Sequence, residues 1–389
     1  MPLAGIVAEF NPLHNGHKYL IDCAKRDGND VVTVISGNFV QRGDTAVIPK
    51  FKRAETALIA GADIVVELPV PWSMSTAQNF AYGGISQLAA MGIEVLYFGS
   101  ESGDINLIKS VANLISSKDF NDALKSRLSC GETFSKIRSD LVNEMLGEAA
   151  SDVLKKPNDT LATEYIIAAN KLNVDITFKA VKRIGAGHND KIATNCFSSS
   201  TLIREAMLMN DYNSFAGYIP DDVLKIINNS PVSDIRKLDV AIISRLKQLT
   251  ADEISNLPDI SEGLDVLIYE SIRSSHSVDS LLEKIKSKRY TLARIRRILL
   301  CGFLGIDSGF FLKRPPYVRV LGFNKNGEKY LSCNAGEIPL VTKVSQIRDV
   351  NEFAIRVFNA ECSFNLQYEL SLNNHEKYTD ELTQRIIKK

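Results

Sequence analysis

The first hundred residues alternate between short unbroken apolar runs and stretches with helical spacing. Leu3–Glu9, Val31–Ser36, Asp63–Leu68 and Glu94–Phe98 read as strands. Their apolar residues run on instead of alternating, as in strands buried on both faces. Gly16–Arg26, Lys50–Ala60 and Ala77–Met91 between them carry apolar residues along one helical side. Strand–helix units in this succession predict a parallel sheet covered on both faces. Leu107–Gly147 is helical, Thr160–Leu172 a helix, Asp175–Val181 a strand and Thr201–Met209 a short helix. Together they close a Rossmann-like, doubly wound α/β domain over residues 1–215. Residues 216–389 are expected to form a mainly α-helical domain. Helical periodicity runs from Pro220 to Leu300, punctuated by Pro231, Pro258 and Ser274–Ser277. After Pro315-Pro316, Tyr317–Phe323 and Lys329–Cys333 look strand-like around the turn signal Asn324–Gly327, so a small β-hairpin is expected there.

Composition narrows the class. With 45% hydrophobic and 24% charged residues among 389, the chain is ordinary folded material and not disordered. Its longest charge-free apolar run, Ile298–Ile306, falls far short of the roughly 18 residues that cross a bilayer. Glu9 interrupts the first apolar stretch and no Lys or Arg precedes it, so no secretory leader is expected. Six scattered cysteines contain no CxxC pair, which argues against a structural zinc and for a reducing, cytoplasmic setting.

Formal charge is zero, 46 basic against 46 acidic residues, yet Leu281–Val320 holds ten basic and two acidic residues. A local +8 on an otherwise acidic body suggests a polyanion site. Lys284, Lys288 and Arg289 share a helical face by spacing, and Arg294, Arg296 and Arg297 follow on the next helix. Leu292, Ile295, Ile298 and Leu299 are expected to bury the opposite side, leaving the cations outward. Such contacts give salt-dependent affinity for phosphate without sequence information.

Two of only five histidines fall in His14-Asn15-Gly16-His17, after the first strand and at the start of the first helix. That is the carboxyl edge of a parallel sheet, where ligands of such folds bind. The helix start offers free N–H groups and a positive dipole to phosphate, and Gly16 lets backbone approach it. Two imidazoles there can donate to phosphate oxygens as charge develops in nucleotidyl transfer. A metal pair is the lesser reading, because no third ligand cluster lies nearby. Ser199-Ser200-Thr201, ahead of Arg204, is a second hydroxyl-rich helix start and a second phosphate cradle, though alone it would be a good helix cap.

GIVAEFNPLHNGH (Gly5–His17) with SSSTLIR (Ser198–Arg204) resembles the HIGH-type nucleotidylyltransferase superfamily, departing where Ser198 replaces an Ile. Gly37–Leu58, Phe98–Glu101 (FGSE), Lys155–Tyr165 (KKPNDTLATEY) and Lys182–Asp190 (KRIGAGHND) look more narrowly like the bacterial tRNA(Met) cytidine acetate ligase family. The resemblance implies that ATP and acetate form acetyl-adenylate and that acetyl passes to N4 of the wobble cytidine of elongator tRNA(Met). It implies an ATP loop of Val7, Ala8, Glu9, Phe10, Asn11, Pro12, Leu13, His14, Asn15, Gly16, His17, Lys18, Tyr19 and Leu20, with His14 and His17 catalytic. Gly99, Asn158, Arg183, Ser199, Ser200, Thr201 and Arg204 would be further ATP contacts, with Asn158 equally able to cap a helix beginning at Thr160. Mg²⁺ is expected with the phosphates, and Lys284, Lys288, Arg289, Arg294, Arg296 and Arg297 are assigned to tRNA. Arg42-Gly43-Asp44 is expected in a loop beside the active site. Lys50, Lys52 and Arg53 are expected either to face nucleotide or RNA or to be a solvated helix start, and Trp72 to stack a base or fill the core. His188 is expected near Arg183, and His276 and His375 at the surface. A small-metabolite adenylyltransferase and a non-catalytic nucleotide-sensing RNA-binding protein are the competing readings.

Overall fold

The computed structural model describes residues 1–128, 134–183, 199–261, 263–287, 289–333, 337–376, 378 and 380–389. His188, Lys288 and Ser198 lie outside the described residues. The apolar runs become β1 (Leu3–Ala8), β2 (Asp30–Ser36), β5 (Ile64–Leu68) and β6 (Val95–Ser100), with β7 at Thr177–Lys182. Two short strands, β3 (Phe39–Val40) and β4 (Asp44–Thr45), make an antiparallel hairpin between β2 and β5. In the main sheet β5-β2-β1-β6-β7 run parallel, in the order of a doubly wound fold. The chain winds outward from β1 through β2 to β5, then crosses back to β6. The switch point between β1 and β6 therefore opens a crevice at their carboxyl ends. Apolar cores lie on the two faces of the sheet, one including Leu88, Leu96 and Ile108, the other Ile6, Ile21 and Ala57.

Residues beyond 215 are mainly helical, but they also complete the sheet. β8 (Val318–Phe323) lies antiparallel to β5, with β9 (Leu340–Val341) and β10 (Ile387–Lys388) both pairing with β8. This corrects the expected hairpin: β8 pairs across the chain, and Lys325–Cys333 is a helix. The turn signal is real but has another role. The Asn324 side chain accepts the N–H groups of Asn326 (2.9 Å) and Gly327 (3.0 Å), so it caps that helix.

Register places Glu67 of β5 opposite Arg319 of β8. Around them lies a buried ionic cluster. Lys50 Nζ is 2.6 Å from both Glu67 Oε1 and Glu381 Oε2, and Arg319 is 3.3 Å from Glu381 Oε1. Burial alone would lower the Lys50 pKa, but Glu381, Glu67 and Glu361 outweigh it and raise it. The expectation of a solvated helix start holds only for Lys52, which is partly exposed and pairs with Glu55 at 3.3 Å; Lys50 and Arg53 are fully buried and face neither ligand nor solvent. Arg53 donates to the carbonyls of Ile48, Glu9, Ser36 and Gly37, and so fixes the loops after β1 and β2. Trp72 is core, and His276 and His375 are exposed as expected.

Glu361 closes the cluster from the helix Glu352–Glu369. Its Oε1 accepts the Val70 N–H at 2.6 Å, while Oε2 is buried without a partner. Burial, then the neighbouring Glu67 charge, pushes its carboxyl far above the usual range. A raised carboxyl pKa favours folding at low pH, and that contribution is lost as pH climbs from the ordinary Glu value near ~4.3 toward the folded-state value. Glu361→Gln keeps the acceptor for Val70 and removes this titration. The variant should gain stability relative to the parent as pH rises from about 5 to 8, read as urea midpoints. A gap that does not change with pH would refute a protonated Glu361.

Candidate active site

The loop after β1 turns through a left-handed Phe10 (φ +45°) and a cis Asn11–Pro12 peptide into the helix Asn15–Arg26. His14 is the N-cap. Its Nδ1 accepts the Gly16 N–H at 3.1 Å, which leaves the ring proton on Nε2, 3.1 Å from Ser200 Oγ. A Cβ on Gly16 would sit 2.9 Å from His14 Cε1, so only glycine lets this ring fold back over the helix start. His17 Nδ1 accepts the His14 N–H at 3.4 Å, and the two imidazoles stack with centroids 3.8 Å apart. The Phe10 ring meets His17 edge-on at 5.0 Å. Both rings are thus held by packing and backbone before any ligand arrives.

The second motif folds as its pattern predicts. Ser199 is the N-cap of the helix Ser200–Leu208, accepting from Leu202 N. One turn in, Arg204 donates to Asn11 O (2.8 Å) and Thr201 Oγ1 (3.1 Å), tying this helix to the first loop. Burial lowers the Arg204 pKa, and Glu9 and Asp44 oppose that as nearby negative charges. Two hydroxyl- or imidazole-bearing helix starts therefore face one another through the His14–Ser200 contact.

The two strings FGSE and KPND interlock at the end of β6. The Glu101 carboxylate accepts from Asn158 Nδ2 (2.6 Å), Asn158 N (3.3 Å) and Asp159 N (3.1 Å), meeting the positive end of the helix Pro157–Leu172. In return Asp159 accepts from Ser100 Oγ and from the N–H groups of Glu101 and Ser102. Asn158 is not the cap of a helix at Thr160, because the helix starts at Pro157.

These elements surround a cavity of about 200 Å³. From the first loop it takes Val7, Ala8, Glu9, Asn11, His14, Gly16, His17, Tyr19 and Leu20, and from elsewhere Gly99, Asn158, Arg183, Ser199, Ser200 and Arg204. The remaining expected contacts do not line it. Phe10, Pro12 and Leu13 are buried supports, Asn15 donates to Gly217 O, Lys18 pairs with Asp22, and Thr201 holds Arg204. Sequence reasoning missed Phe80, Leu161 and Tyr165. Leu161 and Tyr165 share a face with Asn158 by i, i+3, i+7 spacing, a signal that was present. Arg42 lines the cavity from the β3–β4 hairpin, beside the site as expected.

The basic window stands outward only in part: Lys284 and Arg289 are exposed, while Arg294, Arg296 and Arg297 are partly buried. The helix Val278–Ile285 ends before Arg289, so the predicted face with Lys284 does not form. Lys284 binds Ser274, and Arg289 lies over the Tyr290 ring. Arg294 and Arg297 are turned inward onto Asp259, at 3.2 and 3.0 Å. Arg297 also donates to Gln41 O, and Arg296 faces a cavity beside the hairpin.

A doubly wound sheet with paired histidines capping the first helix, at the switch point and against a second hydroxyl-rich helix start, defines a nucleotidyl transferase of the HIGH class. The family model described as HIGH Nucleotidyl Transferase matches residues 1–383. The chain is 36% identical over 390 residues to the tRNA(Met) cytidine acetate ligase of Caldanaerobacter subterraneus subsp. tengcongensis, covering 96% of each chain. It is 35% identical to that of Clostridium novyi, covering 95% of this chain and 99% of the other. The crystal structure of Thermotoga maritima TmcAL bound with alpha-thio ATP superposes with a TM-score of 0.90 at 29% identity, over 100% of this chain and 99% of that one. The chain belongs to the tRNA(Met) cytidine acetate ligase family.

Proposed function

We propose that the protein joins acetate to tRNA at the expense of ATP. Acetate attacks the α-phosphate, pyrophosphate leaves, and the resulting acetyl-adenylate passes its acetyl group to N4 of the wobble cytidine of elongator tRNA(Met). The observation that carries the reading is the His14–Ser200 contact, which joins two phosphate-type helix starts across one cavity. No covalent enzyme nucleophile is needed. His14 and His17 donate to phosphate oxygens, Arg204 and the Ser199–Thr201 start hold the pyrophosphate end, and the wall from Gly99 to Arg183 receives the nucleoside. Among the described residues no group of three His, Cys, Asp or Glu is placed to hold a metal ion. The donors therefore suit a Mg²⁺ ion carried by the phosphates, where it would offset their charge. Residues 1–215 would serve ATP, while residues 216–389 would serve tRNA through the exposed cations Lys284 and Arg289. No helix of the described residues is long and apolar enough to cross a membrane, and a cytoplasmic setting suits a tRNA substrate.

The test is incubation with ATP, acetate and elongator tRNA(Met), followed by nucleoside mass spectrometry and AMP quantitation. Acetylated cytidine and AMP are expected in equal amounts, only when all three substrates are present. AMP transfer to a small phosphorylated metabolite, with unmodified tRNA, would instead establish the simple adenylyltransferase.

A further inference from the structure

A second, larger cavity of about 690 Å³ lies beside the first. Glu9, Asn11, Arg42 and Arg204 line both, so the two spaces share a wall. One side of the second cavity is the β3–β4 hairpin, through Asp44 and Thr45. The opposite side is the helix Leu292–Leu304, through Arg296 and Leu299. Acetate is far too small to fill this space. The cavity falls within the roughly 300–1,000 Å³ typical of sites for nucleoside-sized ligands.

The hairpin is wedged in place. Gly43 adopts φ +70°, and a Cβ there would lie 2.7 Å from the Arg297 backbone nitrogen and from Arg296 Cβ. The hairpin tip thus rests directly on the backbone of the helix opposite. The neighbouring Asp44 carboxylate is set by its own loop, with Oδ1 accepting the Thr45 N–H at 2.8 Å. Of the other carboxylates that line the cavity, Glu205 and Asp279 are exposed and three are held by neighbouring groups. Asp234 is clamped by Arg236, and Asp239 accepts the Val278 N–H at 2.7 Å. Glu9 accepts the Gln41 N–H at 3.0 Å.

Resting on the function proposed above, we infer that this cavity receives the acyl acceptor, a cytosine base turned out of its RNA, and that Asp44 is the group that binds its exocyclic amine and takes the proton. Carboxylates are the side chains that accept from cytosine N4. A base must leave its stack to reach a buried site. In the transfer step N4 bonds to the acetyl carbonyl carbon, and the bond from that carbon to the adenylate oxygen breaks. AMP departs with the electron pair, and one N4 proton passes to Asp44. Burial raises the Asp44 proton affinity, and the Arg204 and Arg296 charges oppose it. The Thr45 N–H opposes the shift ahead of both guanidinium groups, and the Glu9 carboxylate adds to it. A carboxylate so placed is a better base than one in water.

The experiment measures two half-reactions of the full-length protein: acetate-dependent ATP–pyrophosphate exchange, and acetyl transfer to elongator tRNA(Met) by single turnover. Asp44→Asn should lower the ratio of transfer to exchange by about 10²–10³, and Asp44→Glu should recover part of it. Leu208→Trp, at the rim of the same cavity, should raise the tRNA concentration needed for half-maximal transfer without changing exchange. Equal loss of both half-reactions in Asp44→Asn would overturn the assignment. So would a transfer ratio that Glu9→Gln lowers and Asp44→Asn leaves unchanged. Failure of the underlying function is a separate result: the parent protein itself would then show no acetate-dependent exchange.

Discussion

Replacing Lys50 by methionine is expected to destabilise the protein by about 3–5 kcal/mol, the cost of breaking a buried ion pair from one side. Lys50 is 1% exposed and is 2.6 Å from two carboxylates that cannot reach water. Removing its charge leaves Glu67 and Glu381 buried together, and their mutual repulsion adds to the loss. Urea unfolding of the variant measures the effect. Adding Glu67→Gln to Lys50→Met should restore part of the stability, because one of the stranded charges is removed with it. A loss below about 1 kcal/mol, the range of an exposed pair, would show that the cluster contributes no more than a surface contact. The cluster also bears on the site. Asn38 bridges Lys50 N and Asn365, and Tyr368 donates to Ala46 O at 2.7 Å, so the segment that carries the β3–β4 hairpin hangs on the same network. Lys50→Met should therefore impair ATP use as well as folding.

His17→Ala is expected to slow acyl-adenylate formation by about 10²–10³, the usual cost of one preorganised donor to developing charge. His17 Nδ1 already accepts from the His14 backbone, so its ring proton lies on Nε2. Its ring stacks on His14 and meets Phe10 edge-on, and the fold should survive the truncation. Acetate-dependent ATP–pyrophosphate exchange measures the effect, with thermal unfolding as the control for structure. Full exchange activity would remove His17 from the chemistry.

Much of this site could be read from local sequence because the chemistry itself is local. A histidine that caps a helix with a glycine two residues on, and a serine cap with an arginine one turn later, are short-range arrangements. The buried parallel strands were equally plain, since their apolar runs need no partner to be recognised. β8 was harder. Its pairing with β5 spans about 255 residues of chain, and nothing in Val318–Phe323 itself says which edge it will cover. Lys50 and Arg53 have the local pattern of a solvated helix start. Only Glu67, Glu381 and the loop carbonyls, all distant in sequence, make them interior groups. The basic window was misread for the same reason: Asp259, some 35 residues upstream, draws Arg294 and Arg297 inward.

β8 also has a consequence for synthesis on the ribosome. Until the chain has grown past Phe323, β5 presents its open edge to solvent, with Glu67 still lacking Arg319 opposite it. The nascent nucleotide-binding half is therefore an unfinished sheet with a template for pairing exposed along one side. Translation at about 5–20 residues per second leaves that edge uncovered for many seconds. During this interval the open edge is a site where the growing chain can pair with other chains.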